Sequence, residues 1–194
     1  MKCLTLTMAQ VNGLIFKNMK YKEEIIRAME WLGKKPNTVF TGQAIGTSGH
    51  AISTTMEKVP QDKRVELPVF EETQLGMATG MALTGWVPIT CYPRFDFFIL
   101  SLNQLVNHLD KIQDMSKGDM KPKVIIRVAV GSKVPFSAGP QHTQNHTEAM
   151  RKMLTEIEVV ELIEPEEIFP AFQKAYNSEK STLIIEHSEY YGSK

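Results

Sequence analysis

An α/β fold, with a mostly parallel central sheet and helices on both of its faces, is predicted by three observations. Short apolar segments of strand type alternate with helical segments from residue 21 to residue 186, and parallel neighbours need such crossover connections. The best-defined helical segments carry apolar residues at helical spacing with charged residues opposite, as helices that cover a sheet do. The composition is that of an average soluble domain, 42% hydrophobic and 23% charged, without internal repeat, low-complexity tract or linker. The length of 194 residues predicts one domain over 1–194, with 1–20 as an N-terminal extension.

The elements follow in order. Residues 21–32 (YKEEIIRAMEWL) set Ile25, Ile26, Met29 and Leu32 on one face of a helix, and Lys35-Pro36-Asn37 ends it. Residues 38–41 are a short, buried type of strand, followed by a glycine-rich loop over 42–49 (GQAIGTSG) and a short helix over 50–58. A strand over 65–69 leads to a helix over 72–84, in which Gly76 and Gly80 fall four apart. After a strand at 87–92, a long helix over 97–115 shows Leu100, Leu102, Leu105, Val106, Leu109 and Ile112 as its apolar surface. The strand over 123–130 (KVIIRVAV) is followed by a polar, glycine-punctuated loop from 131 to 146. A helix over 147–154, a strand over 158–163, a helix over 165–177 with proline in its first turn and a strand over 182–186 complete the pattern.

Charge and apolar run length exclude several functions. Lys and Arg number 22, Asp and Glu also 22, so the chain lacks the basic excess that a phosphate backbone demands. The longest apolar stretches, 97–100 and 124–130, fall far short of the ~20 residues of a membrane helix. Neither nucleic acid nor membrane is an expected partner. Residues 1–7 alternate Leu and Thr where a signal peptide would have an apolar core. Two cysteines, Cys3 and Cys91, are too few for a disulfide framework, so a cytoplasmic location is expected.

In open parallel sheets ligands sit past the carboxyl ends of the strands, which directs attention to the loops after Val69, Tyr92 and Val130. The loop 42–49 matches neither G-x-G-x-x-G nor a Walker loop, and no G-x-S-x-G elbow exists. His142 and His146, four apart, could share a helix face and a metal ion, but a third ligand is lacking and no metal site is predicted. Glu71 stands differently. It ends the strand 65–69 among Val69, Phe70 and Leu75, where partial desolvation suits a carboxyl that exchanges a proton with a weakly basic ring nitrogen, and Gly76 and Gly80 allow a close approach beside it. Glu71-Glu72 equally suits the positive end of a helix dipole, and the residues alone leave both readings open.

Three ordered motifs, VELPVFEETQLGMATGMALTGWVPI (65–89), CYPRFDFF (91–98) and SAGPQHTQN (137–145), resemble the pyrimidine-binding domain of the transketolase-like thiamine diphosphate enzymes. Within that group the likeness is to the beta subunit of the decarboxylating component of 2-oxo acid dehydrogenases, and it extends from the helix at Tyr21 through 159–192. The resemblance implies that Glu71 bonds the aminopyrimidine ring of thiamine diphosphate and activates it as a base. It implies that Phe97 stacks on that ring, with Tyr92, Phe95 and Phe98 as near competitors, that Val69 forms an apolar wall, and that His142 moves protons at the substrate end.

Departures from the family pattern sharpen the expectation. Gln43 replaces an acidic residue, Glu72-Thr73 replaces a more apolar pair, and the Gly-Asp-Gly segment that holds magnesium and diphosphate is missing. The sequence ends at Lys194, where related beta subunits go on into a carboxyl-terminal domain. The resemblance therefore implies a subunit active only with a diphosphate-binding alpha-type partner that holds Mg2+, as a heterotetramer. The implied reaction cleaves a bond next to a carbonyl in a small 2-oxo acid or ketose and transfers the acyl or ketol unit. A sugar-phosphate enzyme would need phosphate-binding arginines, for which Arg94 and Arg127 are the internal candidates. The alternative is a non-catalytic scaffold or regulatory subunit that keeps the fold.

Overall fold

Six strands, β1 (Thr38–Gly42), β2 (Arg64–Glu66), β3 (Val87–Tyr92), β4 (Ile125–Val130), β5 (Glu158–Glu161) and β6 (Thr182–His187), form one sheet in the computed structural model. Their order is β2-β1-β3-β4-β6-β5, and every pairing is parallel. The helices are α1 (Tyr21–Gly33), α2 (Glu71–Leu83), α3 (Phe95–Phe98), α4 (Ile112–Met115), α5 (Thr147–Met153) and α6 (Pro165–Asn177). The structure describes residues 20–47, 51–134, 137–192 and 194. The expected N-terminal extension up to residue 19, with Cys3, and the start of the helix expected over 50–58 lie outside the described residues.

Two apolar cores lie on opposite faces of the sheet, as the alternation predicts. Ile25, Met29 and Leu32 of α1 and Ile168 and Phe172 of α6 pack with Phe40, Ile89 and Ile184 on one face. On the other, Leu75 and Ala78 of α2 and Phe98, Leu105 and Met150 pack with Ile126, Val128 and Ile185. The successive positions of β4 thus divide between the two cores, which is why KVIIRVAV reads as a continuous apolar run. One residue of β4 is not apolar. Arg127 is fully buried and its Nε and Nη2 donate to the two carboxylate oxygens of the equally buried Glu186 on β6, each at 2.8 Å.

Three expectations change in the structure. The strand expected over 65–69 ends at Glu66, because Pro68 has no N–H to donate: the Leu67 N–H makes the last bond, to the Gly42 carbonyl at 2.8 Å. The chain then turns, and α2 starts at Glu71 rather than at 72. The helix expected over 50–58 is a single 3-10 turn, Ser53–Thr55, in which the Thr54 and Thr55 hydroxyls bond back to carbonyls three residues earlier. The long helix expected over 97–115 is a helical path of changing pitch: α3, a 3-10 turn (Ile99–Ser101), a π-helix (Asn103–Leu109) and α4. The other elements fall within a residue or two of their expected bounds. No helix among the described residues is long and apolar enough to cross a membrane.

The π-helix delivers Asp110 to a buried position where its carboxylate accepts backbone N–H groups of Thr155, Glu156 and Ile157 at 3.2, 2.9 and 3.0 Å and the Lys111 ammonium at 2.7 Å. Burial acts to raise this carboxyl, and those donors overcome it and hold it at about 2, below its ordinary 3.8. A depressed carboxyl stabilises the fold above its unfolded value, and that stability drains as pH falls from about 4 toward 2. Asp110→Ala, which leaves the N–H groups of residues 155–157 without their acceptor, is expected to cost about 2–3 kcal/mol in urea unfolding at pH 7. It should also flatten the acid limb of the stability profile. A loss below about 0.5 kcal/mol would contradict the role given to this carboxylate.

Candidate functional site

From β1 the chain crosses to β2 on one side, and β3 lies on the other, so the sheet has a switch point between β1 and β3. A cavity of about 440 Å³ opens past the carboxyl ends of these three strands. Val69, Glu71, Phe97 and His142, drawn from three segments apart in sequence, all line it, together with Gln43 and Arg94.

The floor depends on a close approach. Gly42 ends β1 with φ at +148°, and a Cβ there would overlap the carbonyl oxygen of Cys91 on β3, so only glycine fits. The chain beyond it passes through Ala44 in the left-handed region, φ +56°, and turns the N–H groups of Ala44, Ile45 and Gly46 onto the Glu66 carboxylate at 2.7, 2.9 and 2.6 Å. Successive N–H groups converging in this way form an anion cradle. Here the protein's own carboxylate fills it.

Glu71 is the first residue of α2, not the end of a strand, and is 5% exposed. No hydrogen bond from a described residue reaches its carboxylate, which stands at the positive end of a helix of 13 residues. The helix start is pinned to β3: Gln74 Nε2 donates to Thr90 Oγ1 at 2.9 Å and to the Cys91 carbonyl at 3.0 Å, and the Tyr92 hydroxyl donates to the Glu71 carbonyl at 3.3 Å. Val69 lies in the loop before α2 and is exposed at the cavity.

Burial separates the aromatic candidates. Phe95 and Phe98 are 0% exposed and Tyr92 is closed into the same core, where it stacks edge-on with Phe98 at 4.7 Å. Phe97 is 41% exposed and turns to the cavity, its ring meeting the His142 imidazole edge to face at 5.3 Å and 85°. His142 closes a 3-10 turn (Pro140–His142) whose carbonyl sits where a Cβ on Gly131 would be. Gln144 then donates through Nε2 to the Asp96 carboxylate at 2.8 Å and through its backbone N–H at 3.3 Å, tying the His142 loop to the helix that carries Phe97.

The family model described as the transketolase pyrimidine-binding domain matches residues 18–193. The chain belongs to this family. Over 185 residues the domain is 26% identical to the pyruvate dehydrogenase E1 component subunit beta of Cyanidium caldarium, covering 91% of this chain and 55% of that protein. Over 180 residues it is 22% identical to the 2-oxoisovalerate dehydrogenase subunit beta of Bacillus subtilis, covering 89% of this chain and 53% of the other. The chain spans about half the length of the curated relatives it matches. Among solved structures it superposes on the transketolase of Campylobacter jejuni with a TM-score of 0.70 at 15% identity, over 89% of this chain and 26% of the other. On a split-gene transketolase described as an inactive beta4 tetramer the TM-score is 0.67 at 16% identity, over 88% and 52% of the two chains. These two share the fold.

Other expected features of this pyrimidine-binding domain lie apart from the cavity. His146 does not join His142: it lines a second cavity past β4 and β6 and packs edge-on against Phe95 at 5.4 Å. Irregular residues, not a helix, separate the two imidazoles, and among the described residues no three His, Cys, Asp or Glu side chains group as metal ligands. Gly76 has only the Gln104 side chain near it and Gly80 nothing within 4 Å, so no close approach in this chain uses them. Arg127 is spent on Glu186, and Arg94 alone of the two arginines reaches the cavity. Glu66, Gln74, Asp96 and Gln144 were not expected at the site. Their partners lie 16 to 48 residues away, a separation that leaves no local pattern.

Gly131→Ala forces the His142 carbonyl to move, so it should break the Phe97–His142 ring contact while Phe95 and Phe98 stay buried. In proton NMR the His142 ring signals would lose their Phe97 ring-current shift. Unchanged His142 signals in a folded Gly131→Ala variant would contradict the packing described.

Proposed function

We propose that this chain is the pyrimidine-binding subunit of a two-chain thiamine diphosphate enzyme that cleaves a bond next to a carbonyl and transfers the resulting acyl or ketol unit. The observation that carries the reading is the pairing, in one switch-point cavity, of a nearly buried carboxylate without a described partner and the only exposed ring of the cluster formed by Tyr92, Phe95, Phe97 and Phe98. A planar, weakly basic heterocycle fits that donor set: it offers a nitrogen to Glu71 and a face to Phe97, with Val69 as an apolar wall. When bound, the cofactor supplies the carbon nucleophile that attacks a substrate carbonyl. Glu71 holds a proton between its carboxyl oxygen and the pyrimidine nitrogen, and burial lets it do so without competition from water. Phe97 fixes the plane of the ring. His142, held against Phe97, moves protons to and from substrate oxygen at the outer end of the cavity.

The diphosphate end of the cofactor would have to be met as well. We assign that part, with Mg2+, to a diphosphate-binding alpha-type subunit, in a heterotetramer; support comes from the relatives, which are named as beta subunits. Residues 1–194 are read as one pyrimidine-binding unit with 1–20 as an extension; the family match covers 18–193. A cytoplasmic setting belongs to the same reading. Burial pushes the free Cys91 thiol up to about 12, so it takes no part in the chemistry.

Glu71→Ala in the complex with the diphosphate-binding subunit is expected to lower turnover roughly 100-fold or more, the usual size of a lost acid–base group. Its melting temperature should stay close to that of the unaltered complex. Near-normal turnover would refute the catalytic reading and leave the scaffold or regulatory role.

A further inference from the structure

Among the described residues lining the cavity, Arg94 is the only Lys or Arg. Its single hydrogen bond among the described residues runs from Nη1 to the carbonyl of its own neighbour, Pro93, at 2.7 Å. Its Cδ lies 3.6 Å from where a Cβ on Gly131 would stand, the place taken by the His142 carbonyl. The side chain therefore runs beside the His142 carbonyl, and its Nε and Nη2 make no hydrogen bond among the described residues.

Neither carboxylate of the cavity neutralises it. Glu66 is committed to the three N–H groups of residues 44–46, and no ion pair joins Arg94 to Glu71. Beside this partly exposed cation stands a buried donor: Gln43 lines the cavity, and its Nε2 is buried with no partner among the described residues. Folded proteins keep few such orphans, because each costs on the order of 1–3 kcal/mol. A cation and an amide donor left open in one cavity define the chemistry of what completes it.

We propose that Arg94, with Gln43 as a second donor, recognises an anionic group on the substrate, a carboxylate or a phosphate, and so decides which carbonyl compounds the cavity accepts. The proposal rests on the reading of this cavity as the catalytic site. Arg94 acts here on specificity and not on proton transfer, since a guanidinium keeps its charge at every working pH. Its planar fork matches paired oxygens and would orient the reactive carbonyl toward His142.

The test is a titration of the full chain, without cofactor or partner, followed by the backbone amide signals of Arg94, Phe97 and His142. The probes are pyruvate, fructose 6-phosphate and the neutral amide of pyruvate. At least one anion should give saturable shifts and the neutral amide none, and which anion responds distinguishes carboxylate from phosphate. Arg94→Gln should weaken that binding about 10- to 100-fold, the worth of a charge-assisted hydrogen bond, and Arg94→Lys should restore part of it. Gln43→Leu should weaken it to a smaller extent. No saturable response to either anion, or equal binding by Arg94→Gln, would overturn the proposal. Because cofactor and Glu71 play no part in this measurement, its failure is distinct from failure of the cofactor reading, which turnover of the Glu71→Ala complex decides.

Discussion

A guanidinium and a carboxylate buried together within the sheet tie β4 and β6 to a turn beside the cavity wall. Burial alone would push the Arg127 pKa down; Glu186 beside it reverses this and keeps the guanidinium charged. The bidentate bond joins β4 to β6, and the same Nη2 reaches Thr55 Oγ1 at 2.8 Å and the Tyr191 hydroxyl at 3.2 Å. Tyr191 in turn donates to Glu186. Loss of one member of such a pair costs about 3–5 kcal/mol, because a bare charge stays behind. What the pair gains for the fold is position. It fixes the 3-10 turn at Ser53–Thr55 to the sheet, and the residues just before that turn, Ala51 and Ile52, form part of the cavity wall.

The other walls obey the same logic. The segments that carry Glu71, Phe97 and His142 are each fastened to their neighbours by side-chain hydrogen bonds. Gln74 fastens the start of α2, and with it Glu71, to β3. Asp96 and Gln144 fasten the His142 loop to α3, and with it to Phe97. Glu66 fastens the loop after β1 by filling an anion cradle from within. Two close approaches, at Gly42 and Gly131, let the loops come near enough for these bonds to form. The carboxyl of Glu71 and the ring of Phe97 are thus held ready while making few contacts of their own, as a preorganised site requires.

Much of this was legible in the residues, and what was hidden has a common cause. Strand and helix alternation is local, so the parallel sheet and its two covering layers could be read from periodicity in segments such as KVIIRVAV and YKEEIIRAMEWL. Glu71, Val69, Phe97 and His142 could be named because three motifs stood in order; composition alone would not have chosen among the aromatic residues. Tyr92, Phe95, Phe97 and Phe98 are equivalent in the sequence, and only packing shows that one of them is left exposed. Arg94 and Arg127 were likewise equivalent until Glu186, 59 residues from Arg127, was found against one of them. The break of the long helix into 3-10 and π turns was illegible for the same reason: Asp110 is held by N–H groups 45 to 47 residues away.

The account stands or falls on whether a pyrimidine ring nitrogen meets the Glu71 carboxyl. Thiamine diphosphate labelled with 15N in its pyrimidine ring, bound to the complex of this chain with the proposed diphosphate-binding subunit, reports that contact directly. The account predicts that one ring-nitrogen resonance moves far from its free position, toward that of a protonated ring, at pH 7. Ring-nitrogen signals at their free positions in a complex shown to hold the cofactor would contradict it.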